Sequence, residues 1–433
     1  MRWRQLGVLA VMGVMAVGCV IGLLFFARPS ISELEKRTLT PFPSITGESF
    51  LDGSFFTDVS LWYSDTYPLR DSLVSLDRAL SSFGGVAASE GLISGNVQAD
   101  EVPVAVEQDE DVPLITKPEE EVEAPDERAV AEAVQNSIMD GLYIKDGKAY
   151  AMCYFVQSGA DTYIASINTA TERLSSTSRV FSIVVPSSAI TLSDEEESEV
   201  GGSSQRQVLD YVWTRLDDRA THVDLVDVMK EHRDEYIYFY TDHHWTQRGA
   251  YLGYVQYCKA RGIEPNPLDS YKYLSNGDFT GTYYESIQSI MTPTVDELET
   301  WTPNGTNDMT WWTSDGIEDW APVVNNATDW ALDGKYGTFI NSEQAREVIE
   351  NPSIDDGSSC LVVKDSYGNA LVPFLVDNYQ TVHILDPRYY YGDVCDYAIE
   401  NDIQDVLFIY SIKVGLTDKY GGLLYMSVSS GVK

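Results

Sequence analysis

The sequence predicts an α/β fold in which a mostly parallel sheet is covered by helices on both faces. Apolar segments of strand length alternate with segments of helical periodicity, and the strands are apolar throughout rather than at every second position. Ligands of such sheets bind at the carboxyl ends of the strands, so the residues that follow each strand are the first candidates for a functional site. The predicted strands are 179–188, 235–241, 360–366, 381–386 and 405–411, and the predicted helices are 205–219, 246–262, 369–379 and 395–402.

The α/β domain is predicted to span 136–433. Asp146-Gly147 marks a hairpin turn at its start, and the helix 246–262 has Thr246 as a candidate N-cap and Gly262 at its end. An aromatic, polar insertion at about 263–355 interrupts the alternation. Its tryptophans either stack on sugar rings or pack a small core of their own, and the sequence leaves both interpretations open.

Residues 1–29 are predicted to be a cytoplasmic tip and a signal-anchor helix. Arg2 and Arg4 precede an uncharged run over 6–26, which is long enough to cross about 30 Å of hydrocarbon. No small-x-small cleavage site interrupts the run, and the basic residues favour a cytoplasmic amino terminus. We therefore expect a single-pass cell-membrane protein whose bulk is extracytoplasmic.

Two segments are predicted between the anchor and the α/β domain. Residues 30–87 have the apolar spacing of a juxtamembrane helical lead-in. Residues 88–135 form an acidic insert rich in Asp, Glu and Pro, which is interpreted as a disordered spacer because it has little apolar surface to bury.

Charge and cysteine usage restrict the class of partner and of site. The formal net charge of −38 excludes a general nucleic-acid binder, because a phosphate backbone would be repelled. No C-x-x-C or zinc-type spacing occurs among the four cysteines beyond the anchor, so buried thiols and disulfides both remain open. These are Cys153, Cys258, Cys360 and Cys395.

Two predicted strand ends carry reactive side chains. Asp242-His243-His244 follows the strand 235–241, and Asp365-Ser366 ends the segment 360–366, on a turn that leads into a helix. An imidazole accepts a serine proton, a carboxylate orients the imidazole, and a helix amino terminus offers N–H groups to a developing oxyanion. The sequence therefore predicts Ser366 as nucleophile, His244 as base and Asp242 as its orienting acid.

Less specific interpretations apply to the same residues. A serine after a strand is usually an N-cap, and Asp or His at a strand end is often a turn former. A metal site is disfavoured because neighbours on a strand point to opposite faces, so that at most two of the three side chains 242–244 would converge. We expect no metal and no cofactor.

Three further residues are weaker candidates for contacts with substrate or oxyanion. Asn369 is either an oxyanion donor or a group at the helix terminus. Trp245 is interpreted as a wall or lid over the imidazole, and Arg248 either orients an acid or pairs with one.

The motifs "TDHHWTQRGAY", "VVKDSYGNALVPFL" and "ILDPRYY" together resemble the bacterial DHHW family, which is related to the alginate O-acetyltransferases AlgJ and AlgX. The resemblance implies an SGNH-hydrolase-like three-layer sandwich. It maps the Asp-x-His-Trp motif of the acetyltransferases onto Asp242, His244 and Trp245, and the serine of Gly-Asp-Ser onto Ser366. Lys364 stands where that motif has glycine.

The resemblance also implies O-acetylation of a cell-surface polysaccharide, with a membrane acyltransferase as a possible acetyl donor. A deacetylating esterase would use the same three residues, because transfer and hydrolysis differ only in which hydroxyl reaches the acyl-enzyme. A non-catalytic polysaccharide-binding scaffold that uses the tryptophan-rich insertion is the alternative from another class.

Overall fold

The computed structural model describes residues 127–429 and, before them, 31–32, 37–38, 42–43, 45, 55, 59, 62–63, 66, 90–93, 99–103 and 114–118. It divides into two compact units, Met1–Ala88 and Ser89–Lys433. The predicted signal anchor lies outside the described residues. No helix within the described ranges has both the length and the apolar character needed to cross a membrane.

The first unit contains the strands β1 (Ile31–Ser32) and β2 (Arg37–Thr38), which pair antiparallel. The strands of the second unit are β3 (Glu90–Ile93), β4 (Leu142–Lys145), β5 (Lys148–Ala151), β6 (Arg179–Val185), β7 (Ala220–His222), β8 (Lys272–Phe279), β9 (Asp296–Thr302), β10 (Asp308–Trp312), β11 (Glu318–Pro322), β12 (Arg346–Glu350), β13 (Ser359–Lys364), β14 (Thr381–Leu385) and β15 (Asp405–Ser411). Its helices are α1 (Glu127–Met139), α2 (Gln157–Leu174), α3 (Asp194–Val200), α4 (Gln205–Trp213), α5 (Val226–Glu231), α6 (Gln247–Arg261), α7 (Tyr284–Gln288), α8 (Gly368–Leu375), α9 (Val394–Glu400), α10 (Ile412–Gly415) and α11 (Asp418–Val428). Strand β3 and the start of α1 lie within the range predicted as the acidic insert.

An eight-stranded mixed sheet forms the centre of the second unit, in the order β11-β10-β12-β14-β13-β15-β6-β7. The five strands from β14 to β7 are parallel, whereas β12, β10 and β11 continue the sheet antiparallel. Every residue of β13 and β15 is buried, which explains why both strands are apolar without alternation. The predicted α/β class is confirmed, with a mixed sheet.

Helices cover both faces of the parallel part. Phe181 of β6 contacts Tyr257 of α6 with ring centroids 5.2 Å apart. Tyr410 of β15 contacts Tyr163 of α2 at 6.1 Å. Because Phe181 pairs with Leu407, and Leu407 and Tyr410 point to opposite faces, α6 and α2 lie on opposite sides of the sheet.

The predicted strand 235–241 is wrong. Within the described part of the chain this segment joins no sheet, and only Tyr238 and Trp245 form an isolated bridge. The segment turns back on itself, so that Phe239 N donates to His244 O at 3.2 Å. Its alternating aromatic residues pack into the core from a tight loop, which gives the same apolar pattern as a strand.

The helix that follows this loop is as predicted. Thr246 Oγ1 accepts a hydrogen bond from Gly249 N, and Gly262 ends α6 with φ 77° in the left-handed region. Together these caps fix the place where the loop with the two histidines enters the helix.

The insertion 263–355 contains more regular structure than its sequence suggests. Strands β8 and β9 pair with each other, and β10 to β12 extend the central sheet. The tryptophans of the insertion differ in exposure, since Trp301 is buried in the core whereas Trp320 is 56% exposed.

Candidate active site

Three side chains meet beside the carboxyl end of β13, namely those of Asp242, His244 and Ser366. His244 Nδ1 is 2.6 Å from Asp242 Oδ1, and His244 Nε2 is 2.8 Å from Ser366 Oγ. The backbone N–H of His244 also donates to Asp242 Oδ1 at 3.0 Å. The imidazole is thus linked to a carboxylate on one side and to a hydroxyl on the other, which is the geometry of a nucleophile with a base and an orienting acid.

Ser366 lies on the turn between β13 and α8. The buried carboxylate of Asp365 organises this turn, because it accepts hydrogen bonds from Tyr367 N at 2.9 Å and from Ser411 N at 2.8 Å. Among the described residues, none accepts a hydrogen bond from the backbone N–H of Ser366. Ser366 is partly exposed, so its hydroxyl is accessible at the start of a helix where free N–H groups favour negative charge.

Aromatic contacts fix the ring of His244. Tyr336 stacks on it with centroids 3.7 Å apart and an interplanar angle of 8°, and Tyr336 Oη donates to Ser366 O at 3.0 Å. The ring of His243 lies 3.7 Å away, tilted by 38°. The sequence did not indicate Tyr336, since it belongs to a 3₁₀ turn, Leu332–Thr338, in the insertion and no motif surrounds it.

The two neighbouring imidazoles, and after them hydrogen bonds, favour the ionised form of Asp242 despite its burial. Burial alone would raise the pKa of Asp242, but His243, His244 and the Thr282 amide together hold it well below its usual range. Asp242 Oδ2 accepts from Thr282 N at 3.0 Å and from Thr282 Oγ1 at 3.2 Å. Burial, followed by the charge of His244, lowers the pKa of His243 to about 3, so His243 is neutral.

Trp245 joins the two segments of the site. Its indole is fully buried, and Nε1 donates to Tyr367 O at 2.9 Å, on the turn that carries Ser366. The indole therefore anchors the serine turn to the histidine loop and presents no face to a ligand, unlike the wall or lid that the sequence suggests.

The other two weak candidates have partners of their own. Asn369 is buried, and its Nδ2 donates to Ser342 O at 3.2 Å. Arg248 makes two hydrogen bonds with Glu299, at 2.5 and 2.6 Å, which is the pairing alternative that the sequence left open. Neither side chain contacts Ser366 or His244 through a bond among the described residues.

The loop conformation of residues 242–244 changes how many of their side chains can reach a single metal ion. Ligand atoms of Asp242, His243 and His244 lie within 4.8 Å of one another, so the expectation that at most two would converge is wrong. That expectation assumed a strand, and a tight turn does not alternate its side chains. One carboxylate and two imidazoles suit zinc in kind, but both nitrogens of His244 are engaged by Asp242 and Ser366.

The four described cysteines are unpaired and buried. Burial raises the pKa of Cys153, Cys258 and Cys395 to about 12. These thiols are protonated at neutral pH and serve as apolar core groups.

The fold and this site define a Ser-His-Asp arrangement at the carboxyl edge of an α/β sheet. The model of the DHHW protein family matches residues 35–117 and 111–385. The chain belongs to the DHHW family. A search of curated proteins found no match.

Two solved structures with TM-scores above 0.5 share the fold. A DHHW family protein from Eubacterium siraeum is 27% identical with a TM-score of 0.58, and the match covers 65% of this chain and 94% of that one. Bacillus cereus PatB1, described with a sulfonyl adduct, is 22% identical with a TM-score of 0.55, covering 64% of this chain and 97% of that one. The O-acetyltransferase domain of Pseudomonas putida AlgJ is more distant, at 13% identity and a TM-score of 0.36, covering 63% and 90%.

Proposed function

We propose that the protein is an SGNH-like acyl-transfer enzyme in which Ser366 is the nucleophile, His244 the general base and acid, and Asp242 the residue that orients the imidazole. One observation carries the proposal: the continuous hydrogen-bonded line from Asp242 Oδ1 through His244 to Ser366 Oγ, at 2.6 and 2.8 Å. A serine that served only as a helix cap would have no need of a buried imidazole–carboxylate pair on its hydroxyl.

The chemistry follows from these distances. Ser366 Oγ attacks the carbonyl carbon of an acyl ester while His244 Nε2 takes the hydroxyl proton. The imidazolium then gives this proton to the departing alcohol, which leaves an acyl-serine. An incoming hydroxyl then gives its proton to the same nitrogen and attacks the acyl carbon. The imidazolium returns this proton to Ser366 Oγ as the bond between Oγ and the acyl carbon breaks, which regenerates the serine and the neutral imidazole. Asp242 stabilises the imidazolium throughout, because its carboxylate is bonded to Nδ1.

The Ser366 amide is proposed as one oxyanion donor. This N–H belongs to the same residue as the attacking Oγ, and no described residue accepts a hydrogen bond from it. Asn369 is given no role in the proposal, because its side chain hydrogen-bonds Ser342 O and neither Ser366 nor His244.

The acceptor is proposed to be a hydroxyl of a cell-surface polysaccharide. The resemblance of its motifs to the alginate O-acetyltransferases supports this assignment, and the predicted signal anchor supports an extracytoplasmic, membrane-attached location. A membrane acyltransferase would supply the acetyl group from across the bilayer. The SGNH-like assignment, the anchor and the polymer are all parts of the proposal.

Covalent labelling tests the nucleophile. The full chain is incubated with p-nitrophenyl acetate, and separately with a sulfonyl fluoride, because PatB1 is described with a sulfonyl adduct. We expect release of p-nitrophenol and a single adduct at Ser366, located by intact mass and peptide mapping. Ser366→Ala and His244→Ala should abolish both, whereas Ser270→Ala, a serine on the exposed surface, and His232→Ala should not.

The outcomes separate the alternatives. Equal release by all variants, with no adduct at residue 366, would contradict the enzyme and leave the polysaccharide-binding scaffold. Acetyl transfer to added polysaccharide distinguishes the transferase from the esterase, which would release acetate to water and remove acetyl groups from an acetylated polymer.

A further inference from the structure

A groove of about 790 Å³ lies on the sheet, and none of the proposed catalytic residues lines it. It is formed by one face of the antiparallel strands β10, β11 and β12, together with the segment that follows β12. One end of the groove is at Thr381, which is level with Ser359 of β13, and the other end is at Trp312, which is level with Val363 of β13 across the intervening strands β12 and β14. Along the strand direction the groove therefore extends from roughly 20 Å to roughly 10 Å from Ser366, and Trp312 lies three strands away from β13.

Two indoles contribute to the apolar part of this groove. Trp312 and Trp320 are diagonal neighbours on the same face, because Trp312 pairs with Glu318 and Trp320 pairs with Thr310. Trp320 is 56% exposed, and within the described structure its ring stacks on no aromatic or cationic group. Trp312 is held in place, since its Nε1 donates to Glu318 Oε2 at 2.9 Å. The groove thus offers an open indole face beside a fixed one.

The polar part of the groove is acidic. The carboxylates of Asp308, Glu318, Glu350 and Asp355 line it, and all four side chains belong to exposed residues. No Lys or Arg is among the lining residues, although the guanidinium of Arg346 stacks on the Trp312 ring at 3.8 Å from its centroid. These carboxylates repel an anionic polymer and accept hydrogen bonds from the hydroxyls of a neutral one. A polymer with ammonium groups gains a net electrostatic attraction in addition.

We propose that this groove binds a polysaccharide that carries free amino groups, that is, a polymer with unacetylated hexosamine units. Sugar rings stack on Trp320, and the ammonium groups lie against the carboxylates of β10 to β12. This assignment deepens the proposed function, on which it rests for the idea that a polysaccharide is the acceptor. The groove then retains the polymer on the enzyme while a different part of the same chain reaches Ser366, which raises the local concentration of acceptor.

A basic peptide would satisfy the charges and can place a cation on the open indole, as Arg346 does on Trp312, but it lacks the flat C–H face of a sugar ring. Oligolysine is therefore the comparison ligand that carries the charges without a sugar ring. N-acetylglucosamine oligomers of the same length are the comparison for stacking alone.

Binding of glucosamine oligomers to the full chain tests the assignment. The measurement uses the Ser366→Ala background and calorimetry at low and at physiological salt, so that no turnover is required. We expect glucosamine oligomers to bind at least about tenfold more tightly than N-acetylglucosamine oligomers, with weaker binding at the higher salt. Trp320→Ala and the double variant Asp308→Asn/Glu350→Gln should each weaken binding about tenfold or more.

Matched controls are available outside the groove. Trp330→Ala removes another exposed indole, and Asp329→Asn removes another exposed carboxylate; both should leave binding unchanged. Wild-type affinity in Trp320→Ala, or oligolysine binding as tight as that of the glucosamine oligomer, would overturn the assignment. These results are independent of adduct formation at Ser366, so either proposal can fail while the other stands.

Discussion

At the scale of single residues, the candidate site depends on side chains that each bond two partners. His244 connects Asp242 to Ser366, and Trp245 connects the histidine loop to the Tyr367 carbonyl. When a buried side chain loses a hydrogen-bond partner, the free energy of unfolding decreases, because the remaining donor or acceptor stays desolvated. Substitutions that keep volume but remove one bond therefore separate positioning from packing.

Asp242→Asn should leave the fold intact and reduce p-nitrophenyl acetate turnover by roughly 10³–10⁴-fold, because the amide no longer holds Nδ1–H and no longer stabilises the imidazolium. Steady-state kinetics measures the loss, and the free energy of unfolding checks that the fold is retained. Asp329→Asn is the control on the exposed surface. Near-wild-type turnover in Asp242→Asn would contradict its orienting role.

Trp245→Phe should lower the free energy of unfolding by about 1–3 kcal/mol, since the Tyr367 carbonyl loses its buried donor. We also expect slower turnover, because the serine turn is no longer tied to the histidine loop. Urea denaturation and esterase kinetics measure the two effects, with Trp330→Phe as the control for an exposed indole. Unchanged turnover together with reduced stability would limit Trp245 to packing.

At the scale of elements, the site is assembled by close approaches between loops. The segment after β8 brings Gly281 against Asp242, where a Cβ on Gly281 would overlap the Asp242 Cβ and carboxylate. The same segment supplies the Thr282 amide and hydroxyl, which both donate hydrogen bonds to Asp242 Oδ2. Glycine is required here by space rather than by backbone conformation.

Gly281→Ala should displace Asp242 and reduce turnover by roughly 10²-fold, with about 1–3 kcal/mol lost from stability. Gly334→Ala is the matched control, because a Cβ there meets no atom within 4 Å. Kinetics and urea denaturation of the two variants provide the comparison. Equal turnover in both would show that the loop adjusts without moving the carboxylate.

At the scale of the whole molecule, the sheet interior contains a buried ionisable group whose protonation affects the free energy of unfolding. Glu347 of β12 is fully buried, and neither carboxylate oxygen has a hydrogen-bond partner among the described residues. Burial raises the pKa of Glu347 to about 8, although the charge of Lys364 opposes the increase. The native state therefore retains a proton that the unfolded chain loses near its ordinary value of 4.5.

The contribution of Glu347 to stability should consequently decrease as pH rises from about 5 to about 8, because at this residue the unfolded chain binds fewer protons than the native state in this window. The slope from this one group is at most about 1.4 kcal/mol per pH unit. Glu347→Gln cannot lose a proton, so its free energy of unfolding should decrease less over the same range. Urea denaturation at several pH values measures the difference, with the exposed Glu400→Gln as control.

Much of this protein was predictable from local pattern. The strands that became β6, β13, β14 and β15, the capped helix α6 and the Asp146-Gly147 turn follow from residue spacing and turn chemistry. The residues of the proposed triad were named from their positions after apolar segments. These features are determined by near neighbours along the chain, which is why a sequence reports them.

Only the tertiary structure decided how distant segments meet. The strand predicted over 235–241 is a loop, because aromatic side chains buried by a tight turn and by a strand give the same pattern. Tyr336 against His244 and the glycine contact at Asp242 depend on where the insertion 263–355 packs, and the open groove depends on strands β10 to β12 joining the sheet. Such contacts depend on closing long loops around a common core, and no residue spacing in the sequence records which loops will close.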